Sequence, residues 1–426
     1  MQVVRSVERP RLSQHDWRAL EAAPTYSLRA QLAQRCFMRL TRGLPLSVCY
    51  DDGLKANPEA SLPRMTIRNR KDFFSRLARD GSLGFGEAYI MGSWDSGCEA
   101  ALSLSGSDEL VDWLAAYSAR VQELESEFVY FLRWLANSRL PVSKQNTEAD
   151  ASTNIAAHYD VDVRLFETFL DPSMTYSCAW FEEGDDLISA QQRKIDSILD
   201  LARVNEGMRV LDIGSGFGGL GFRAVQERSA SVVGLTLSKS QLAWAIKRRD
   251  SLGLRKNLEF RLQDYRLHRE AYDSVVSVEM LEAVGSEYWA DYFAAVDNLL
   301  KPGGHFALQT VTFPHRRMRM SKRTFSWVDR YIFPGGCLPS LHEIQKIVAS
   351  RTGLEIVEAR RLTDSYSKTL REWRHRFVSE LSVVRGLGFD ERFCRLWVLY
   401  FAYFEAGFDT RYCDVWQLSL RKRHKS

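Results

Sequence analysis

The sequence predicts an α/β fold, a parallel sheet with helices on both faces, and three observations carry that expectation. Val210-Leu211-Asp212-Ile213 reads as a buried strand that runs into Gly214-Ser215-Gly216-Phe217-Gly218-Gly219 and then into a helical stretch, 220–226. From there to about residue 311 strand patterns alternate with helix patterns, the signature of a parallel sheet. The chain has 426 residues and is 45% hydrophobic, enough for two or more domains with a real core.

The elements follow in order. Residues 1–60 carry Arg-rich polar segments and no clear element, and are expected to be partly disordered. Residues 63–67 predict a short strand, and 71–78 a helix with Phe73, Phe74 and Leu77 on one face. Gly81–Tyr89 and Gly92-Ser93-Trp94 mix glycines with aromatics, which fits a turn-rich packing unit or a small lipid- or partner-facing domain. Residues 107–139 predict a long helix with Ser107 as N-cap, Asp108 and Glu109 in its first turn, and a core stripe of Leu110, Trp113, Leu114 and Tyr117. Residues 141–154 are polar and aperiodic, so they are read as a linker between a small domain, 61–140, and a larger one, 155–426. Pro172 ends a helix ahead of an aromatic cluster, Tyr176–Phe181.

In the larger domain an amphipathic helix, 189–201, precedes the opening strand. Strands are expected at 231–235, 258–262, 274–278 and 305–311, helices at 239–249 and 288–300, and a turn at Lys301-Pro302-Gly303-Gly304. Residues 354–357 and 415–420 read as two closing strands, and 365–408 between them as helices rich in Phe, Tyr and Trp. The basic run His315–Arg323 reads as a solvated face or, beside a lipid site, as a contact for anionic headgroups.

Composition excludes several classes. A net charge of +4 lacks the basic excess of a nucleic-acid binder. Seven cysteines, an odd number with no C-x-x-C pair, argue against a disulfide framework or a zinc ribbon and for a reducing compartment. No metal site is suggested. The N-terminus shows no apolar signal region, and the longest apolar run, Leu396–Phe404, is too short to span a bilayer. A cytoplasmic protein, soluble or peripheral at the inner membrane surface, is the expectation.

Function is expected at the carboxyl ends of the parallel strands. Gly214, Gly216 and Gly219 have the G-x-G-x-x-G spacing, which lets a backbone approach a ligand closely at a helix N-terminus. The second strand ends in Thr236-Leu237-Ser238-Lys239-Ser240-Gln241, hydroxyls and an amide where a dinucleotide site would carry an acid. Ser238 there is equally an N-cap. The third strand is followed by Gln263-Asp264-Tyr265, whose carboxylate could accept a hydrogen bond from an exocyclic amine.

Taken together, these residues resemble the cyclopropane-fatty-acid synthase family of S-adenosylmethionine-dependent methyltransferases. The resemblance runs from about residue 60 to the C-terminus. It is carried by GSLGFGEAYIMGSW, HYDVDVRLFETFLDPSMTYSCAWF, VLDIGSGFGGLGFRAV, VVGLTLSKSQ, LQDYR, VSVEMLEAVGSEYW, YIFPGGCLPS and SYSKTLREW, in that order. It implies a seven-stranded, mostly parallel methyltransferase sheet, a helical substrate cover and a smaller N-terminal domain. It implies methyl transfer to the cis double bond of an unsaturated phospholipid acyl chain at a membrane surface, closing a cyclopropane ring by default. A methyl or methylene branch is the alternative outcome. Tyr176, Ser177, Asp212, Gly214, Gly216, Gly218, Thr236, Ser238, Gln241, Asp264 and Tyr265 would hold S-adenosylmethionine. Cys178, Glu282 and Tyr366 match residues that line the family's active site and hold a bicarbonate ion acting as base. A second copy of the chain is a candidate partner. The chain departs from the family pattern at Ser215 and Phe217 in the turn, at Asp162-Val163, which follow His158-Tyr159-Asp160-Val161 where Gly-Asn is usual, at Ala283 after Glu282, and at Gln309 where a His often holds the bicarbonate. Methylation of a small polar acceptor, and a non-catalytic lipid-binding role, are the competing readings.

Overall fold

The computed structural model describes residues 20–22, 24–50, 62–97, 104–123, 162–322 and 324–423. The 141–154 linker, the His158-Tyr159-Asp160 motif and the second half of the 107–139 helix lie outside the described residues.

The N-terminal part holds α1 (Leu28–Thr41), β1 (Ser47–Tyr50), β2 (Arg64–Ile67), α2 (Arg70–Asp80), α3 (Ser82–Ile90), β3 (Trp94–Ser96) and α4 (Ser107–Glu123). β1 pairs parallel with β2, and β2 antiparallel with β3. Residues 28–50, which the sequence left without an element, thus contribute a helix and a strand to this small sheet. The Gly81–Tyr89 segment is mostly helix rather than turns. A Cβ at Gly84 would collide with the Arg76 carbonyl at 2.0 Å, and one at Gly86 with the Trp327 ring at 2.3 Å. These glycines permit close helix packing, a use their turn propensity conceals.

The larger part begins with α5 (Val163–Glu167) and α6 (Leu187–Leu201). It continues as β4 (Arg209–Ile213), α7 (Gly219–Arg228), β5 (Ser231–Thr236), α8 (Lys239–Ser251), β6 (Leu258–Leu262), β7 (Tyr272–Val278), α9 (Trp289–Leu299) and β8 (Leu300–Thr312). An insertion of α10 (His315–Ser321), α11 (Trp327–Tyr331) and α12 (Leu341–Arg351) precedes β9 (Leu354–Arg361). Then come α13 (Thr363–Ser379), α14 (Leu381–Gly386), α15 (Glu391–Asp409) and β10 (Asp414–Lys422).

The large sheet has seven strands in the order β6-β5-β4-β7-β8-β10-β9. Five are parallel, and β10 runs antiparallel to both β8 and β9. Val210 to Ile213 are all buried, as both faces of a central parallel strand must be. Strand order reverses between β4 and β7, which places a crevice beyond their carboxyl ends. Lys301–Gly304, expected as a turn, forms the irregular start of β8, with a register shift opposite Tyr272–Ser274.

Helices α13 and α15 pack against each other as a cover. Phe169, Trp373, Phe377, Trp397 and Phe401 form its interior, with neighbouring ring centroids 5.3–6.4 Å apart. Burying each such ring contributes about 2 kcal/mol. The small sheet is joined to this cover through Arg395 of α15. Its buried guanidinium donates to the carbonyls of Tyr89 (2.6 Å) and Trp94 (3.0 Å) and to the Asp95 carboxylate (2.7 Å).

Candidate active site

The glycine turn sits at the switch point. Gly214, Gly216 and Gly218 have φ of +82°, +55° and +87°, a region closed to most side chains. Gly214 and Ser215 N–H both donate to the Leu235 carbonyl of β5, at 3.0 and 2.9 Å, so the turn is fixed to the neighbouring strand. A Cβ at Gly214 would lie 2.8 Å from Met280, and one at Gly219 2.7 Å from the Thr175 hydroxyl.

A cavity opens above this turn. It is lined by Tyr176, Ser177, Asp212, Gly214, Gly216, Thr236, Gln241, Asp264 and Tyr265, all named from the sequence, together with Ser215 and Phe217. Two expected residues stand outside it. Ser238 is the N-cap of α8, its hydroxyl accepting from Gln241 N–H at 3.2 Å. Gly218 is the left-handed residue that starts α7, packed on Phe260. Both shape the turn from behind. Asp264 caps the short turn after β6, and its carboxylate pairs with Arg266 at 2.6 Å. Thr236 and Gln241 are tied to each other, hydroxyl to amide oxygen at 2.9 Å.

Lys194 of α6 lines the same cavity and was missed in the sequence. Its ammonium is buried and donates to the Ser177 hydroxyl at 2.7 Å. Burial draws its pKa down to about 8, although the carboxylates Glu279, Asp171 and Asp212 oppose the change. Burial likewise pushes Asp212 up to about 7, with Lys194 holding it down. Inside an amphipathic helix, Lys194 reads as one more solvent-facing residue; only the fold shows that its face turns inward.

Glu279 is the second residue that was missed. It follows β7 directly and lines the cavity. Its Oε1 accepts from Cys178 N–H at 2.9 Å and from Gln309 Nε2 at 2.8 Å, and its Oε2 accepts from Tyr366 OH at 2.6 Å. Glu279 has φ +51°, the left-handed region, which costs a non-glycine residue about 1 kcal/mol or more. Burial raises its pKa, while Tyr366, Gln309, the Cys178 N–H and Lys194 pull the other way. Cys178 therefore acts through its backbone. Its thiol donates to the Ala179 carbonyl at 3.1 Å, and burial holds it far above the ordinary thiol range. Gln309 is fixed in turn by Gln417, whose Nε2 donates to its Oε1 at 2.9 Å.

Glu282 lies one turn on and does not line the cavity. Its Oε1 accepts from the Thr310 hydroxyl at 3.0 Å and from Val311 N–H, while Oε2 is buried with no partner among the described residues. Burial first, and then the neighbouring Glu279, push its pKa up to about 8. Its carboxyl is therefore mostly protonated at neutral pH.

An aromatic wall completes the site. The Tyr176 ring packs on Phe166 (5.4 Å) and Trp373 (5.1 Å), and its hydroxyl donates to Tyr400 OH at 3.0 Å. The Tyr366 ring stacks on Phe408 at 4.5 Å. Glu279 thus lines the cavity on one side and touches Tyr366 of the aromatic cover on the other. Among the described residues no cluster of His, Cys, Asp and Glu could hold a metal ion. No helix there is long and apolar enough to cross a membrane.

Such a sheet, with a glycine turn at its switch point and hydroxyl and amide groups where a dinucleotide site carries an acid, is the fold of an S-adenosylmethionine-dependent methyltransferase. Left-handed glycines that bare the backbone, and a buried Ser215 hydroxyl with no partner among the described residues at the cavity wall, fit that cofactor. The chain belongs to the family described as mycolic acid cyclopropane synthetase, which matches residues 146–418. It is 41% identical over 394 residues to the tuberculostearic acid methyltransferase UfaA1 of Mycobacterium tuberculosis (strain ATCC 25618 / H37Rv), covering 90% of this chain and 89% of that one. It is 36% identical over 331 residues to the cyclopropane-fatty-acyl-phospholipid synthase of Escherichia coli (strain K12), covering 77% and 80%. The solved mycolic acid cyclopropane synthase CmaA1, complexed with SAH and CTAB, superposes with a TM-score of 0.60 at 30% identity, covering 64% of this chain and 98% of that one. The protein is thus an enzyme of S-adenosylmethionine-dependent methyl transfer to lipid double bonds.

Proposed function

We propose that the protein methylates the cis double bond of an unsaturated phospholipid acyl chain, and that Glu279 is the base that completes the reaction. The observation that carries this is the Glu279 carboxylate, held in a strained backbone by three donors between the cavity and the aromatic wall. Tyr176, Ser177, Asp212, Gly214, Gly216, Thr236, Gln241, Asp264 and Tyr265 would hold S-adenosylmethionine, with Gly218 and Ser238 shaping the turn behind them. When bound, the cofactor supplies an electrophilic methyl group.

The residues of the chain do the rest. The aromatic wall excludes water and orients the alkene, a weak nucleophile that needs close positioning. The π pair forms the new C–C bond and leaves a carbocation on the acyl chain, which the faces of Tyr and Trp rings stabilise. Ionised Glu279 then accepts a proton, and the C–H electron pair closes a ring or forms a double bond. Charge balances, with a neutral product and a protonated Glu279. A saturated methyl branch would need a hydride donor, which this set of residues does not supply.

The bicarbonate implied by the resemblance does not fit. Its expected contacts, Cys178 and Tyr366, already hold a resident carboxylate, so no step is derived through the ion. Gln309, which stands where the resembling family often carries a His, is a donor to that same carboxylate. The relative that spans nine-tenths of both chains is named for methyl transfer and not for a cyclopropane. We therefore place the methylene-branched product first and the ring second.

Purified enzyme, methyl-labelled S-adenosylmethionine and vesicles of an unsaturated phospholipid decide the matter. Labelled lipid with two methyl hydrogens retained is expected. Catalytic hydrogenation then converts a methylene branch under conditions that spare a ring. Label found only in a soluble acceptor would sink the reading. Glu279→Gln should lower turnover by roughly a thousandfold or more, the upper part of the range for a lost general base. Cofactor affinity, measured by calorimetry, should change little. Glu279→Gly relaxes the backbone and empties the nest, so added bicarbonate should restore part of its turnover. Full activity in Glu279→Gln would remove it as the base.

A further inference from the structure

We propose that the outward face of α1, with the arginine groove beside it, docks the protein on an anionic phospholipid surface. The inference rests on the phospholipid reading above for its biological sense, but the binding it describes needs no turnover.

The chain carries four arginines between residues 22 and 50, at 29, 35, 39 and 42, and no Asp or Glu. Arg35, Arg39, Arg42 and Arg70 line one groove, and among the described residues no acidic side chain lines it with them. Among the described residues Arg35, Arg39 and Arg42 make no ion pair, in a protein where most other arginines do. The groove is an uncompensated positive surface, built for an anion with several oxygens.

The same helix exposes apolar surface. Leu28 is 82% exposed, Leu32 61% and Leu40 38%. Residues 28, 32, 35 and 39 follow helical spacing, so two leucines and two arginines share one outward stripe. The opposite face is fixed to the protein body: Ala30, Phe37 and Thr41 are buried, and the Phe37 ring meets Phe73 edge-on at 5.4 Å. A helix anchored on one side, with leucines among arginines on the other, suits the headgroup layer of an anionic membrane. A free phosphate would engage the arginines and leave Leu28 and Leu32 without purpose. The basic run 315–323 is the weaker candidate for this role. Arg317 lies on the Tyr412 ring at 3.4 Å, and Lys322 lies over Trp289 at 4.6 Å.

The test is sedimentation of the full-length protein with vesicles of phosphatidylglycerol or phosphatidylcholine. Binding is expected to the first, to be weak to the second, and to fall steeply with salt. Each arginine near such a surface is worth about a fivefold change in affinity, so Arg35→Gln/Arg39→Gln/Arg42→Gln should lose roughly a hundredfold. The corresponding three lysine variants should retain most of it. Leu28→Ser/Leu32→Ser should weaken binding about tenfold or more at fixed salt. All of these positions except Arg42 lie on the outward side of α1, and thermal unfolding checks that each variant is folded; Arg39→Glu alone serves if the triple variant is not. Turnover on detergent-dispersed lipid should match the unaltered enzyme in every variant, so loss of docking and failure of the methyl-transfer reading give separate signals. Unchanged vesicle binding in the glutamine variant overturns the proposal. So does displacement by millimolar inorganic phosphate, which would make this a small-anion site. A variant that changes oligomeric state in ultracentrifugation would instead make the face a contact between copies of the chain.

Discussion

The cofactor cavity and the Glu279 nest share a wall, yet they are built by opposite means. The floor of the cavity is made by backbone: one strand end, one turn and one helix start, all between residues 209 and 228, with φ values only glycine adopts cheaply, while Tyr176, Thr236, Gln241 and Asp264 line it from other segments. The nest is made by side chains and one amide from four distant segments. Cys178, Glu279, Gln309 and Tyr366 are joined by hydrogen bonds that bridge separations of up to 131 residues. A local device survives as long as its own sequence does. A long-range one depends on every element that converges on it. Substitutions in the two should therefore separate binding from chemistry.

Among substitutions that leave Glu279 itself in place, the largest effect is expected in the cavity. Gly214→Ala adds a Cβ 2.8 Å from Met280 at a residue whose φ is +82°. Strain and collision together should weaken S-adenosylmethionine binding about a hundredfold, an effect on the order of 3 kcal/mol. Calorimetry measures it directly. A Gly214→Ala enzyme that bound the cofactor normally would break the distinction between the two regions, because the turn would then tolerate a side chain at its tightest point.

A smaller effect is expected in the nest. Tyr366→Phe removes one of the three donors to Glu279 and leaves its stacking on Phe408 in place. A hydrogen bond to a charged group is worth about 1.5–3 kcal/mol, so kcat should fall roughly ten- to a hundredfold with cofactor affinity unchanged. The pH profile provides a sharper reading. Burial has already raised the pKa of Glu279, and the Tyr366 bond lowers it. A base must be ionised, so the acid limb of kcat reports that pKa. Losing Tyr366 should move the limb to higher pH. A limb that stayed in place would show that Glu279 is not the titrating base.

The same contrast decides what could be read from the sequence. The strand-turn-helix unit, the alternation that follows it and the strand-end residues Thr236, Gln241 and Asp264 are local patterns, and periodicity with glycine chemistry exposes them. Ser238 was legible as a cap, and the structure makes it one. Gln309 and Tyr366 entered only through resemblance, since nothing local distinguishes them. Glu279 escaped altogether. An acidic residue after a strand looks like a loop residue, and its left-handed backbone leaves no mark in the sequence. Lys194 escaped because a lysine in an amphipathic helix is normally solvated. Gly84 and Gly86 were misjudged for the complementary reason: glycine signals a turn locally, while the contact that requires it, the Arg76 backbone or the Trp327 ring, is set by packing.

The smallest expected effect concerns Glu282, which the resemblance placed in the active site and which the structure ties to Thr310 and Val311 of β8. Its folded pKa is raised to about 8 from an ordinary 4.5. Between those values the folded protein holds a proton that the unfolded chain releases. The associated stability is therefore full below about pH 4.5 and is lost as pH rises through about 8. Gln keeps an oxygen to accept from Val311 N–H and removes the titration. Glu282→Gln should then be nearly as stable as the parent near pH 5 and more stable than it near pH 9, by on the order of 4 kcal/mol. Thermal unfolding across that range checks it. The nest makes the comparison specific, because Glu279 is the second cause of the shift. In a Glu279→Gln background the Glu282 pKa should fall, and the stability gap should be smaller near pH 9 and level off at lower pH. A gap independent of Glu279 would mean that the two carboxyls, three residues apart, do not sense each other, and that burial alone keeps Glu282 protonated.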